Sequence, residues 1–244
     1  MAASKTLEVL QYYAQRDSST KHGNRMCFSS TCAMAVKFLK PDALKGVNAD
    51  DDYLKAVLKV GDTVDSSAQI KALASYGIRG SFTQTATVED IKREINEGFP
   101  VGVGFNHHGP LNATTGGHWI LIIGYNDSHI VCHDPYGELD VVNGGYPNPG
   151  IGGKSVKYTW ANWLKRWQPE GHGHGWMMTF RSIVKPTSNP PQIRPSTSST
   201  WPGEDASVAR LKRIAELQLL IRKHTEELLK LNIPPPNNSM KSDV

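Results

Sequence analysis

From residue 184 to 203 the chain reads VKPTSNPPQIRPSTSSTWPG, and that stretch limits what can fold on either side of it. Pro, Ser and Thr dominate, and almost nothing there can be buried. Prolines fix the backbone and remove donors, so the composition predicts a partly extended linker. The 244 residues therefore divide into a domain over 1–183, the linker over 184–203, and a C-terminal segment over 204–244. The first part is long enough for one ordinary hydrophobic core. No apolar run approaches the ~18 residues of a membrane helix, so no transmembrane segment is expected. The N-terminus, MAASKTLEVLQYYAQRD, has no apolar stretch followed by a small-residue cleavage site. It predicts no signal peptide and synthesis in a cytosol.

The C-terminal segment carries a strong helix signal over 205–231, followed by a tail expected to be disordered. Asp205 or Ser207 can cap the helix, and Pro234, Pro235 and Pro236 stop it. Ile214, Leu217, Ile221, His224, Leu228 and Leu231 form a stripe at spacings of 3 and 4. Three readings stay open: packing on its own domain, self-association, or docking on a partner, wall or membrane surface.

Within 1–183 the pattern is mixed. Helices are expected over 27–39, 67–76 and 88–97, the last capped by Thr87 and closed by Gly98. A short fourth helix follows Thr159 and carries Trp160, Trp163 and Trp167. Strands are expected over 78–82, 101–105, 118–125, 129–133 and 154–158. Asn126-Asp127-Ser128 is a polar turn, so the third and fourth strands should form a hairpin. Helices first and antiparallel strands later make an α+β class.

The chain has three cysteines, Cys27, Cys32 and Cys132, too few and odd in number for a disulfide framework. Cys27 lies where a polar loop meets an amphipathic helix. A thiol there feels the helix dipole and unpaired backbone N–H groups, which favour the reactive thiolate. Cys32, inside the helix beside Ala33, Met34 and Ala35, reads as a small core residue. His118 opens the apolar strand HWILIIGY. Hairpin pairing about residues 126–128 brings the Cys132–Asp134 end back toward it. An aspartate there would orient the imidazole. Taken singly, each has a structural reading: a core thiol, a strand-end histidine, a turn aspartate before Pro135. Together they follow the order nucleophile, base, orienting carboxylate.

The chain resembles the papain-like peptidases related to the bacteriocin-processing, double-glycine leader peptidases. Gln15-Arg16-Asp17, then Cys27, then Ala33-Met34 match that family's Q-x-D and C-G-P-x-x-x-A-M patterns. Gly117-His118-Trp119 and Asp134-Pro135 match its G-H-W and D-P patterns. The likeness runs over roughly residues 8–183 and implies a papain-like fold. It implies Cys27 as nucleophile, His118 as base, Asp134 as orienting residue, and the Gln15 amide in the oxyanion hole. Phe28-Ser29 stand where the family has Gly-Pro, so the backbone entering the helix can differ. Combinations such as NHHGP, HDPYGE and NGGYPNPGIGGK also resemble bacteriophage-encoded proteins. In that setting the implied activity is a lysin cutting the peptide part of bacterial peptidoglycan, either an endolysin held in the host cytoplasm or a virion-associated enzyme. The alternatives are a protein-processing peptidase cutting at small residues, an amidase or acyltransferase using the same triad, and a non-catalytic virion module.

His107 and His108, at the end of a predicted strand, and Trp119 are the candidates for substrate binding. His172 and His174 lack a clear third ligand, and no metal or other cofactor is expected. The run 49–52, Ala-Asp-Asp-Asp, reads as the acidic first turn of a helix rather than a calcium loop. The formal charge is +4, with Lys and Arg scattered along the chain, which does not support nucleic-acid binding.

Overall fold

The computed structural model describes residues 4–182. The linker and the C-terminal helix expected from the sequence lie outside the described residues. In chain order the elements begin with β1 (Lys5–Thr6), a 3₁₀ turn (Gln15–Asp17), α1 (Cys27–Leu39), α2 (Asp50–Leu58) and α3 (Ser66–Ser75). They continue with β2 (Ile78–Ala86), α4 (Val88–Glu97), β3 (Val101–His108), β4 (Thr115–Tyr125) and β5 (His129–His133). β6 (Val156–Thr159), α5 (Trp160–Trp167) and β7 (Gly175–Ser182) complete them.

The strands form one antiparallel sheet in the order β2-β7-β3-β4-β5-β6. β1 pairs with the far end of β4, at Gly124 and Tyr125. The long strand β4 is the spine, because side chains alternate between faces along it. Trp119, Leu121 and Ile123 join one core, shared with α1, α2 and α3. Ile120, Ile122 and Tyr125 join another, shared with α4 and α5. The fold is therefore α+β, with helices on both faces of the sheet.

α1 is the central helix. Cys27 through Val36 are all buried, so it is enclosed on every side. Its polar first turn finds partners in the layer beneath. Ser29 Oγ bonds Thr63 and accepts from the Gln69 amide, and Ser30 Oγ donates to Asp50 at 2.6 Å. Asp50 thus ties the start of α2 to the start of α1, and residues 50–52 form the acidic first turn expected there.

α4 follows its capping signals closely. Thr87 and Asp90 form a reciprocal capping box, and Gly98 takes the left-handed conformation at φ 92°. Trp163 and Trp167 are core residues, stacked at 5.0 Å. Several strands run further than their patterns indicated: β2 reaches Ala86, β3 reaches His108 and β4 begins at Thr115. β1 and β7 were not expected at all. β7 alternates poorly, with exposed Trp176 before two buried methionines, and its register comes from pairing with β2 and β3. Among the described residues no helix is long and apolar enough to cross a membrane.

Candidate active site

Cys27 is the first residue of α1 and is 8% exposed. Its backbone N–H is one of the helix-start amides with no acceptor inside the helix. It lines a cleft of about 400 Å³ together with Gln15, His107, His108, His118, Tyr136 and Tyr146. Phe28, which replaces the small residue of the related pattern, stacks on Trp119 at 3.7 Å with the rings 2° from parallel. Ser29, in the next position, is absorbed by its bond to Thr63. The altered pair thus packs the helix start rather than disrupting it.

His118 is buried, and its Nε2 lies 2.7 Å from Asp134 Oδ1. Cys27 lines the same cleft and stands close enough to the imidazole to favour its charged form. Burial works against the charged imidazolium, but the Asp134 carboxylate and Cys27 outweigh it and lift the group from 6.5 to about 10. The arrangement therefore favours an imidazolium beside the sulfur.

Asp134 has no exposed surface, yet its carboxylate is fully partnered. Oδ1 faces His118 and accepts the Tyr136 N–H at 3.0 Å. Oδ2 accepts the hydroxyls of Tyr146 at 3.1 Å and Tyr158 at 3.0 Å. Its backbone is also fixed: the N–H donates to Gly153 O, and the carbonyl accepts from the Tyr12 hydroxyl. Burial, then the nearby Asp134 charge, pushes Tyr146 and Tyr158 well above the ordinary phenol range, so both stay neutral donors. The bulged β4–β5 hairpin, pairing Leu121 with His133, carries Asp134 back toward His118.

Gln15 is fully buried in the 3₁₀ turn, where its backbone N–H donates to Pro135 O at 2.9 Å. Its Nε2 donates one hydrogen to Gly23 O at 3.0 Å, and the second remains for the cleft that Gln15 lines with Cys27. Asp51 braces the loop after this turn by accepting from Ser18 and from the N–H and hydroxyl of Ser19.

Of the three candidates for substrate contact, His107 and His108 line the Cys27 cleft. The His107 ring stacks on His118 at 5.1 Å. Burial, then its neighbours His118, His108 and Arg166, lowers His107 to about 3, so it is neutral in ordinary conditions. Trp119, one position past His118 on β4, packs against Phe28 and borders an adjoining cavity of about 280 Å³, whose lining includes Gly117 and His118 of the Cys27 cleft together with Trp167 and Trp176.

Sequence reasoning missed the role of the tyrosines around Asp134: Tyr146 comes from the Gly- and Pro-rich loop NGGYPNPG and Tyr158 from the expected strand β6, and nothing local ties either to Asp134. It also missed Arg166, whose guanidinium donates to the carbonyls of Val141, Asn106 and Gly109. That buried side chain joins the β3–β4 tip, with His107, to the loop that carries Tyr146. His172 and His174 stand exposed near Glu89 and Glu170. No group of three or more His, Cys, Asp or Glu among the described residues is arranged to hold a metal.

A buried imidazole between a helix-start thiol and a carboxylate, with an amide beside them, is the layout of a thiol-dependent acyl-transfer site. Residues 7–171 match the Peptidase_C39 like family, and the chain belongs to that family. It is a cysteine peptidase, a hydrolase. A crystal structure described as a C39-like peptidase from Bacillus anthracis superposes with TM-score 0.50 at 13% identity, covering 74% of this chain and 99% of that one. A double glycine motif protease from an AMS/PCAT transporter, solved with its leader peptide, gives TM-score 0.39 at 15% identity, over 63% of this chain and 82% of that one. No curated protein sequence matches the chain.

Proposed function

We propose that this peptidase uses Cys27 as nucleophile and His118 as acid and base to cut the peptide part of bacterial peptidoglycan. The observation that carries the chemistry is His118 held between Cys27 and a fully partnered Asp134. The Cys27 thiolate attacks the amide carbonyl, forming a C–S bond and a tetrahedral oxyanion. The spare Gln15 N–H and the Cys27 backbone N–H stabilise that charge; one such donor is typically worth ~3 kcal/mol. His118 then gives its proton to the leaving amine as the C–N bond breaks. Neutral His118 takes a proton from water, the hydroxide attacks the thioester, and the acid product leaves with Cys27 restored as thiolate.

The wall substrate rests on the likeness of motifs such as NHHGP and HDPYGE to phage-encoded proteins, with a net charge of +4 suited to an acidic polymer. In this reading the enzyme acts as an endolysin or from the virion, and the segment over 204–244 supplies contact with wall, membrane or a second copy. Digestion of purified peptidoglycan by wild type and Cys27→Ala, with fragments identified by mass, tests it. Newly freed amine and carboxyl ends with wild type alone support the reading. Intact wall, together with cleavage of a Gly-Gly leader peptide, replaces it with a protein-processing role.

A further inference from the structure

The Cys27 cleft is lined by Gln15, histidines, Tyr136, Tyr146, Asn24 and Arg25, and no carboxylate lines it. Asp134 lies behind it and is consumed by its donors. Arg25 lines the cleft, and Arg16 meets it only through Tyr136. Arg25 is neutralised by a two-bonded pair with Asp62, at 3.0 and 2.9 Å. Arg16 has no carboxylate partner among the described residues.

Arg16 is nevertheless placed. It follows Gln15 in the 3₁₀ turn, and its guanidinium lies over the Tyr136 ring at 5.3 Å. Its stem runs against Gly150, where an added Cβ would stand 3.0 Å from Arg16 Cβ. Tyr136 in turn lines the cleft, with its ring 6.1 Å from that of His118. The guanidinium therefore stands one aromatic ring away from the imidazole, beside the residue offered as oxyanion donor. A ring under one face leaves the N–H edge of a guanidinium free for a planar, two-bonded carboxylate. The cleft histidine His107 is held neutral, so it supplies no competing positive charge.

We propose that Arg16 reads a substrate carboxylate, so that the peptide cut carries an acidic side chain or a free α-carboxylate within about two residues of the scissile bond, the reach of roughly 3.3 Å per extended residue. This rests on the peptidase assignment above and narrows its substrate class: peptidoglycan stem peptides carry such carboxylates, whereas Gly-Gly leader sites do not require them.

The test uses a soluble peptide spanning the bond cut in the wall digest, made in two forms, with the nearby carboxyl free or converted to the primary amide. Wild type should prefer the acid by about tenfold in kcat/KM, carried by KM, as expected for one charge-assisted pair. Arg16→Gln should lose the preference, and Arg16→Lys should keep part of it. Rising salt should erode it. Equal rates on both forms by wild type, or an unchanged preference in Arg16→Gln, overturns the inference while leaving a wall peptidase intact. If the wall is not cut, the wall reading fails instead, and the same acid–amide pair, made from whichever peptide the enzyme does cut, decides the role of Arg16.

Discussion

Replacing Asp134 with Asn keeps the shape of the buried site and removes its charge. The amide oxygen can still face His118 and the Tyr136 N–H. The amide nitrogen would meet the Tyr146 and Tyr158 hydroxyls, which can turn to accept. The imidazole loses the carboxylate that holds it charged. In wild type His118 is lifted from 6.5 to about 10, despite burial that pulls the other way. That interval is worth roughly 5 kcal/mol of preference for the charged ring. Without the carboxylate, burial is opposed by Cys27 alone, and His118 should titrate well below its wild-type position. The assay is NMR of the His118 ring through a pH series, in wild type and in the variant. Cleavage should fall about a thousandfold or more, since the tautomer and the charge are both lost. The sign extends to stability. A raised histidine stabilises the fold fully below about 6.5 and loses that contribution as pH rises toward 10, so removing Asp134 should flatten this part of the profile. A His118 that still titrates near its wild-type position in the variant would refute the reasoning.

Tyr158→Phe removes a hydroxyl that donates to Asp134 and accepts the Leu139 N–H, and should cost about 1–3 kcal/mol in urea unfolding. Gly153→Ala drives a Cβ into the Asp134 carbonyl and the Tyr12 hydroxyl, and should slow peptide cleavage more than it lowers the unfolding midpoint. Asp50 is raised from 3.8 to about 6, chiefly by burial, so its charge opposes folding at neutral pH. Asp50→Asn should therefore stabilise by up to about 3 kcal/mol at pH 7, an advantage that fades as pH falls from 6 to below 4 in denaturant titrations.

Local signals gave accurate readings where local physics decides the structure. Thr87 and Gly98 bound α4 because capping and a left-handed residue are written in neighbouring positions. The turn at 126–128 predicted the hairpin that returns Asp134 to His118. Cys27 opens α1 where loop composition gives way to helix. What stayed hidden depends on contacts distant in sequence. Tyr12 and Tyr158 reach Asp134 across 122 and 24 positions. Tyr146 arrives from a Gly- and Pro-rich loop that has no period. β7 is a strand because β2 and β3 pair with it. Trp119, a candidate through its adjacency to His118 in sequence, packs on Phe28 and shares the lining of one cavity with His118.

The central claim, a thiolate at Cys27 held by His118, is tested most directly by a thiol-directed peptidyl electrophile at neutral pH, with the modified residue located by mass. Cys27 should be labelled alone, because Cys32 and Cys132 are buried and burial raises both thiols. Labelling should slow sharply in Asp134→Asn. Label on Cys32 or Cys132 with Cys27 untouched, or hydrolysis that survives Cys27→Ala, would contradict the account.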